Sequence, residues 1–244
     1  MKIVATIEAR MSSSRLPGKV LLEAAGRPLL GHLVRRLKAV PSLSEIVLAT
    51  TTSSADDVLV SFARSYDIRC FRGSETDVMG RVIGAAAAAS ADLVVETTGD
   101  NPIIDPEIVE TMVRTFCAND ADYVSNTHVK SYPDGMDVQV FRLETLRRSA
   151  AMTQNPLDRE HVTLHIRKHP KLFRPIHVIA PPELHWPELG LTVDERADFD
   201  LIRRVIEALD PVNALFKCSD VVQLLRSNPN WLELNRAVVR KGDS

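Results

Sequence analysis

A chain of 244 residues with 45% hydrophobic and 25% charged residues has the make-up of an ordinary globular protein, long enough for one large α/β domain and too apolar for wholesale disorder. A formal net charge of -2 and a pI near 6.4 give no general attraction to nucleic acid or to an anionic membrane, so any polyanion has to bind at a local site. Cys70, Cys117 and Cys218 are scattered, odd in number and outside any CxxC pattern, the amino-terminal apolar run is too short for a signal peptide, and no stretch approaches the roughly 18 apolar residues that span a bilayer; a disulfide framework, a structural zinc and a membrane span are all disfavoured, and a cytoplasmic protein is expected.

Residues 2–7 are a short apolar run rich in β-branched side chains, as expected of a strand buried on both faces of a parallel sheet. Three/four spacing of apolar residues predicts a helix over 28–40, with Pro28 at its first turn. A strand at 45–50, a helix at 56–66, a weaker strand at 68–72, an alanine-rich helix at 77–90, a strand at 92–97 and a helix at 106–116 follow. This alternation predicts an open, mostly parallel α/β sheet with right-handed crossovers. Beyond residue 120 it breaks down. Strands at 136–141 and 172–179 and helices at 158–168 and 197–209 suggest antiparallel additions to the sheet, and the polar, helix-like tail could dock on the domain or form an oligomer contact.

Ligands of such sheets sit beyond the carboxyl ends of the strands, which selects the loops 8–19, 50–56, 72–77 and 98–105. The first reads Glu8-Ala9-Arg10-Met11-Ser12-Ser13-Ser14-Arg15-Leu16-Pro17-Gly18-Lys19. Arginines can grip phosphate oxygens in pairs, a lysine supplies a compact charge, and small residues such as Ala9 and Ser14 let backbone N–H groups approach an anion. The loop suits a triphosphate, although a solvated basic loop has the same composition. It is neither a Walker A loop nor a GxGxxG fingerprint, so an ATPase or a dehydrogenase is not the first choice. Asp100, in Gly99-Asp100-Asn101-Pro102, stands at a strand end where a carboxylate could hold Mg²⁺ or simply form a turn. Asp194, at the start of a helical pattern, could be a second metal carboxylate or an N-cap. Gly73-Ser74 by itself is an ordinary turn.

The loop resembles the ARMxSxRLPGK signature of the cytidylyltransferases that include the 3-deoxy-manno-octulosonate and acylneuraminate enzymes, nearest to the spore coat polysaccharide biosynthesis branch. The resemblance continues through Phe71-Arg72-Gly73-Ser74, Thr98 to Pro106, Asp134-Gly135-Met136-Asp137-Val138, Arg159-Glu160-His161-Val162-Thr163 and Leu191-Thr192-Val193-Asp194, in order over about residues 2–205. It implies a Rossmann-like three-layer nucleotide-diphospho-sugar transferase fold: one nucleotidyltransferase domain over residues 1–244, with 206–244 a C-terminal helical extension. It also implies transfer of CMP from CTP to a sugar acid or related small-molecule acceptor with release of pyrophosphate, dependence on Mg²⁺, and a homodimer that binds neither nucleic acid nor membrane.

Carried onto this chain, the resemblance makes Arg10, Arg15, Lys19 and Asp100 the catalytic set and Asp100 and Asp194 the metal ligands. Nucleotide binding falls to Ala9, Arg10, Ser14, Arg15, Lys19, Thr51, Arg72, Ser74 and Asp100, with Arg72 and Ser74 at the cytosine and ribose. Acceptor binding falls to Asp137, Gln139, Arg159 and His161, with Thr163 beside them. Three departures stand out, one of them Ser13, where the branch often carries glycine. Glu8 replaces the branch's usual glutamine, and a carboxylate there would repel a triphosphate unless paired with a cation such as Arg10 or Arg15. The chain also continues Asp194 as Glu195-Arg196-Ala197-Asp198 rather than the usual Asp-Thr-Pro-Glu-Asp-Leu. The acceptor itself is not encoded in any motif, and a sugar-1-phosphate nucleotidyltransferase using another nucleotide, or a catalytically silent nucleotide-binding protein, is a rival reading.

Overall fold

The computed structural model describes residues 1–239. In chain order the elements are β1 (Ile3–Glu8), β2 (Glu23–Ala24), β3 (Arg27–Pro28), α1 (Leu29–Lys38), β4 (Glu45–Thr51), α2 (Asp57–Ser65), β5 (Arg69–Gly73), α3 (Val78–Ala88), β6 (Leu93–Thr98) and α4 (Pro106–Ala118). There follow β7 (Tyr123–Ser125), β8 (Gln139–Arg142), α5 (Leu143–Met152), α6 (Pro156–Glu160), α7 (Leu164–Lys168), β9 (Pro175–His177), α8 (Arg196–Leu209) and α9 (Cys218–Ser227). β2 and β3 form a small separate hairpin, and the rest make one seven-stranded sheet in the order β5-β4-β1-β6-β8-β7-β9. β8 alone runs against its neighbours; the β4–β5, β1–β4, β1–β6 and β7–β9 pairs are parallel.

Alternation along β1 divides the core. Ile3, Ala5 and Ile7 point into a large aliphatic layer with α1, α2, α4, α8 and α9, whereas Val4 points into a smaller layer with the alanine face of α3 and with Tyr123, Phe141 and Phe173. Helices on both faces make the fold three-layered α/β, as expected from the alternating patterns. Residues beyond α8 join the larger layer: Phe216, Cys218, Val221, Val222 and Leu225 are all buried, and the buried Arg36 guanidinium donates to the Phe216 carbonyl at 2.8 Å.

The first 118 residues follow the periodicities closely, and the later part departs from them for local reasons. The helix expected over 158–168 is broken into α6 and α7, because Val162 adopts φ 31°, a conformation that strains a β-branched residue and ends a helix. The strand expected from 136 begins only at Gln139: the Met136 carbonyl and the Val138 N–H are satisfied by the Asn126 side chain, at 2.7 and 2.8 Å, instead of by a neighbouring strand. The strand expected over 172–179 shrinks to β9, and α5 was not expected at all.

Candidate nucleotide and metal site

With β4 and β5 on one side of β1 and β6 on the other, the connections leave β1 and β6 in opposite senses. At such a switch point the loops beyond the carboxyl ends of the two strands part, which is where a ligand crevice is expected. Two loops line it, the one after β1 and the one after β6. Gly18 takes the left-handed conformation (φ 70°), and its N–H donates to the Met11 carbonyl at 2.9 Å, so residues 11–18 close into a compact loop. A 3-10 turn at Lys19–Leu21 then points Lys19 back across the crevice.

There the Lys19 ammonium lies 2.8 Å from an Asp100 oxygen and 3.0 Å from an Asp194 oxygen, and Arg15 reaches the second Asp194 oxygen at 2.8 Å. Burial works against the charged lysine, but its two carboxylate partners outweigh that and hold its pKa above the ordinary value. The strand-like segment bearing Asp194 is docked on the β6 loop, since Val193 N–H donates to the Asp100 carbonyl at 2.9 Å. Asp194 does not cap α8. Glu195 occupies that position, and the buried Asp198 carboxylate accepts from the backbone N–H groups of Asp194 and Glu195, at 3.1 and 2.9 Å, and from Asn235 at 2.9 Å. The Asp194 side chain is thereby left to face Lys19 and Arg15.

The donor set fits a hard divalent cation. Asp100 and Asp194 are half-buried carboxylates that already converge on one cationic atom, the Lys19 nitrogen. Among the described residues no group of three His, Cys, Asp or Glu side chains is arranged around a metal. A cation held by two carboxylates would complete its shell from water and phosphate oxygens, as Mg²⁺ commonly does.

The other residues expected at the nucleotide fall into two groups. Arg10 and Ser14 are exposed at the loop surface, where Arg10 lies 3.4 Å from Glu75 and Ser12 donates to the same carboxylate at 3.0 Å; Ala9 is buried beneath them. Thr51 is also buried, its hydroxyl donating to Asp56 at 2.5 Å. Arg72 spends its guanidinium on the protein, donating to the carbonyls of Thr51 and Ser53 at 2.8 and 2.6 Å and to Asp57 at 2.6 Å. Ser74 accepts from the Asp77 N–H at 3.0 Å. Arg72 and Ser74 therefore shape the loops on this side of the crevice.

On the acceptor side, Arg159 forks onto Asp77, the N-cap of α3, with one contact at 2.8 Å, and so ties α6 to the loop that carries Ser74. His161 is exposed and ends α6. Gln139 is the centre of a polar row across the sheet: its oxygen accepts from Tyr123 at 2.6 Å and Thr163 at 2.5 Å, and its amide donates to Glu96. Glu96 in turn bonds Glu8, whose carboxyl is pushed well above the carboxylate range by burial first and by the charge of Glu96 next. Among the described residues no ion pair joins Glu8 to Arg10 or Arg15; the raised pKa favours its uncharged form, which lessens the repulsion expected of a carboxylate beside a triphosphate. Asp137 behaves similarly, raised to about 7 by burial and by neighbouring Asp134.

Asp56, Asp77 and Glu96 are site residues that sequence reasoning missed, while Asp134 and Asp198 lay in the quoted segments without an assigned role. A glutamate inside the apolar run Leu93–Thr98 was a visible signal, and Asp56 and Asp77 read as the starts of helices. Their partners lie far away in the chain, Arg159 being 82 positions from Asp77, and no local pattern records such pairs.

A crevice of this kind, with a basic loop and two carboxylates at the switch point of a three-layer sheet, marks the nucleotidyltransferase fold, and comparison with solved structures agrees. A cytidylyltransferase from Leptospira borgpetersenii superposes with a TM-score of 0.91 at 28% identity, covering 98% of this chain and all (100%) of that one. A CMP:2-keto-3-deoxy-manno-octonic acid synthetase solved with CTP shares the fold at TM-score 0.64 and 19% identity over 85% of this chain and 99% of its own, as does a Mycobacterium tuberculosis protein solved with manganese, at 0.58 and 15% over 84% and 99%. The family model described as cytidylyltransferase matches residues 4–227. An uncharacterized Methanocaldococcus jannaschii protein is 33% identical over 99% of this chain and 97% of its own length, and the Bacillus subtilis spore coat polysaccharide biosynthesis protein SpsF is 32% identical over 93% and 95%. A 3-deoxy-manno-octulosonate cytidylyltransferase from Geobacter metallireducens is 32% identical over 64% of this chain and 63% of its own. The chain belongs to the cytidylyltransferase family.

Proposed function

We propose that this chain transfers CMP from CTP to a sugar acid or related small acceptor, with Mg²⁺, in the making of a surface polysaccharide or glycoconjugate precursor. The observation that carries the reading is the Lys19 ammonium held between Asp100 and Asp194, with Arg15 on the same carboxylate, at the mouth of the crevice. Arg15 and Lys19 are cations whose present partners are carboxylates that a divalent ion could claim instead. When a nucleotide enters, the two side chains exchange those partners for the β- and γ-phosphates, and Arg10 adds a third positive charge from the loop surface.

The acceptor hydroxyl oxygen then forms a bond to the α-phosphorus while the bond from that phosphorus to the α–β bridging oxygen breaks. Pyrophosphate leaves with the electron pair and the hydroxyl proton passes to water. Catalysis is positioning and charge neutralisation. When bound at Asp100 and Asp194, Mg²⁺ would supply charge neutralisation at the α-phosphate. Lys19 and Arg15 stabilise the leaving pyrophosphate. On the acceptor side, Gln139 and Thr163 offer neutral hydrogen bonds at the end of the polar row, while Asp137, Arg159 and His161 stand around it. A sugar-acid acceptor is supported by the relatives that carry 3-deoxy-manno-octulosonate cytidylyltransferase in their names. Among the described residues no helix is long and apolar enough to cross a membrane.

Thermal unfolding with CTP, UTP, ATP and GTP, each with and without Mg²⁺, tests this without knowledge of the acceptor. A ligand at about 100 times its dissociation constant adds about 2.7 kcal/mol. Stabilisation selective for CTP and enhanced by Mg²⁺ is expected, followed by pyrophosphate release when sugar acids are screened. Selective stabilisation by another nucleotide would move the chain to the sugar-1-phosphate transferases, and no response to any would leave a catalytically silent protein.

A further inference from the structure

Alongside the side-chain contacts of Arg10, Ser12, Arg15 and Lys19, the backbone of the loop after β1 is tied across the crevice at Met11. Its carbonyl is taken by Gly18 N–H, as described above, and its own N–H donates at 2.7 Å to Oδ1 of Asp56, a side chain with no exposed surface. The other carboxylate oxygen, Oδ2, receives three donors from the end of β4: Thr50 Oγ at 3.0 Å, Thr51 N–H at 3.2 Å and Thr51 Oγ at 2.5 Å. The 3-10 turn carrying Asp56 is clamped from outside by Arg72, which holds the Thr51 and Ser53 carbonyls. Four donors thus converge on one buried carboxylate, three from the adjacent strand-end residues Thr50 and Thr51 and one from the phosphate-binding loop. These hydrogen bonds outweigh burial and hold the carboxyl below its ordinary pKa, so the joint stays ionised and able to accept at every position.

We infer that Asp56 is a positioning residue for the nucleotide: it is the joint that sets the loop bearing Arg10, Arg15 and Lys19 against the loop on the base side of the crevice, without itself touching the ligand. The inference rests on the nucleotide reading proposed above. The chemistry of the joint makes it separable from simple stability. An asparagine has one acceptor oxygen, which the three donors of Thr50 and Thr51 will claim. Its NH₂ then faces the Met11 N–H, donor against donor, and the phosphate-binding loop is released while the strand end stays in place.

The test is calorimetric titration of CTP with Mg²⁺ into the full-length unsubstituted protein, Asp56→Asn and a control, Glu110→Gln. Glu110 is a half-buried carboxylate that accepts from Ser42 N–H and Oγ, at 3.2 and 2.9 Å, near the amino ends of the strands. Asp56→Asn is expected to weaken CTP about tenfold or more, whereas Glu110→Gln lowers the melting temperature by a comparable about 2–4 °C and leaves CTP affinity unchanged. Equal affinity of Asp56→Asn and the unsubstituted protein overturns the inference. Should Asp56→Asn fail to fold, hydrogen exchange of the unsubstituted protein decides: a protected Met11 amide supports the joint, and one exchanging as fast as an open loop overturns it. Absence of CTP binding to the unsubstituted protein would instead sink the nucleotide reading, and this inference with it.

Discussion

The two halves of the crevice handle charge in opposite ways. On the side expected to take the nucleotide, Lys19, Arg15, Asp100 and Asp194 are paired across the chain at 2.8 to 3.0 Å, partly buried, and each has a partner that a ligand could replace. On the side expected to take the acceptor, the charges are either cancelled internally, as in the Arg159–Asp77 fork, or disfavoured by burial, as at Glu8 and Asp137. The first arrangement is suited to exchanging ions, because water and mobile ligands can compensate each broken pair. The second is suited to reading shape through neutral hydrogen bonds, since an unpaired charge there would stay buried at a cost of several kcal/mol.

The comparison can be broken most severely at Asp100. Asp100→Ala is expected to lower turnover by about 100-fold or more while changing the melting temperature little, because the pair it forms with Lys19 is partly solvated. Pyrophosphate release alongside a melting curve checks this, and near-normal turnover would remove Asp100 from the metal site. Lys19→Met should weaken CTP by about tenfold to 100-fold and, in the opposite direction, strengthen binding of Mn²⁺ added without nucleotide, since two carboxylates lose their resident counter-charge. Titration of each ligand separately reads both effects; unchanged Mn²⁺ affinity would mean that Lys19 does not occupy the cation's place.

Gly135 is the tight point where the loop before β8 meets the segment leading to Asp194. It has φ 105°, and a Cβ there would lie 2.8 Å from the Leu191 carbonyl carbon and 2.9 Å from Thr192 N. Gly135→Ala is expected to cost about 2 kcal/mol or more, a melting-temperature loss of about 4–8 °C.

The smallest effect sharpens the acceptor side. Asp137 has its pKa raised from the ordinary 3.8 to about 7, so the folded chain keeps this proton over a range in which the unfolded chain has released it. The stability it contributes is complete below about pH 4 and lost as pH rises through about 7. Asparagine cannot ionise. The melting temperature of Asp137→Asn should therefore fall less between pH 5 and 8 than that of the unsubstituted protein, and parallel curves would contradict the buried, shared proton.

The sequence was most informative where one local pattern determines one element. β1, β4 and β6 are continuous apolar runs between helical stretches, and their strand ends located the crevice correctly. Lys19, Arg15, Asp100 and Asp194, drawn from three separate segments, do come together. What the sequence hid depends on long-range pairing. Arg72 reads as a free cation until Thr51, Ser53 and Asp57 are seen around it. Nothing local in residues 158–168 announces that Val162 will turn left-handed and divide a helix so that Thr163 reaches Gln139. Asp56 looks like the start of a helix, and its role becomes visible only when Met11, 45 positions earlier, is seen donating to it.

The hydrogen-bonded Glu8 and Glu96 have one further consequence. A carboxyl that keeps its proton offers one donor and one acceptor on the same planar frame as a side-chain amide. While Glu8 is protonated, the chain presents at that position much the same hydrogen-bonding outline as glutamine would, and the formal charge written in the sequence is not the charge the crevice experiences. Glu8→Gln is thus a nearly silent exchange over the pH range in which Glu8 keeps its proton, and the two residues begin to differ only above that range.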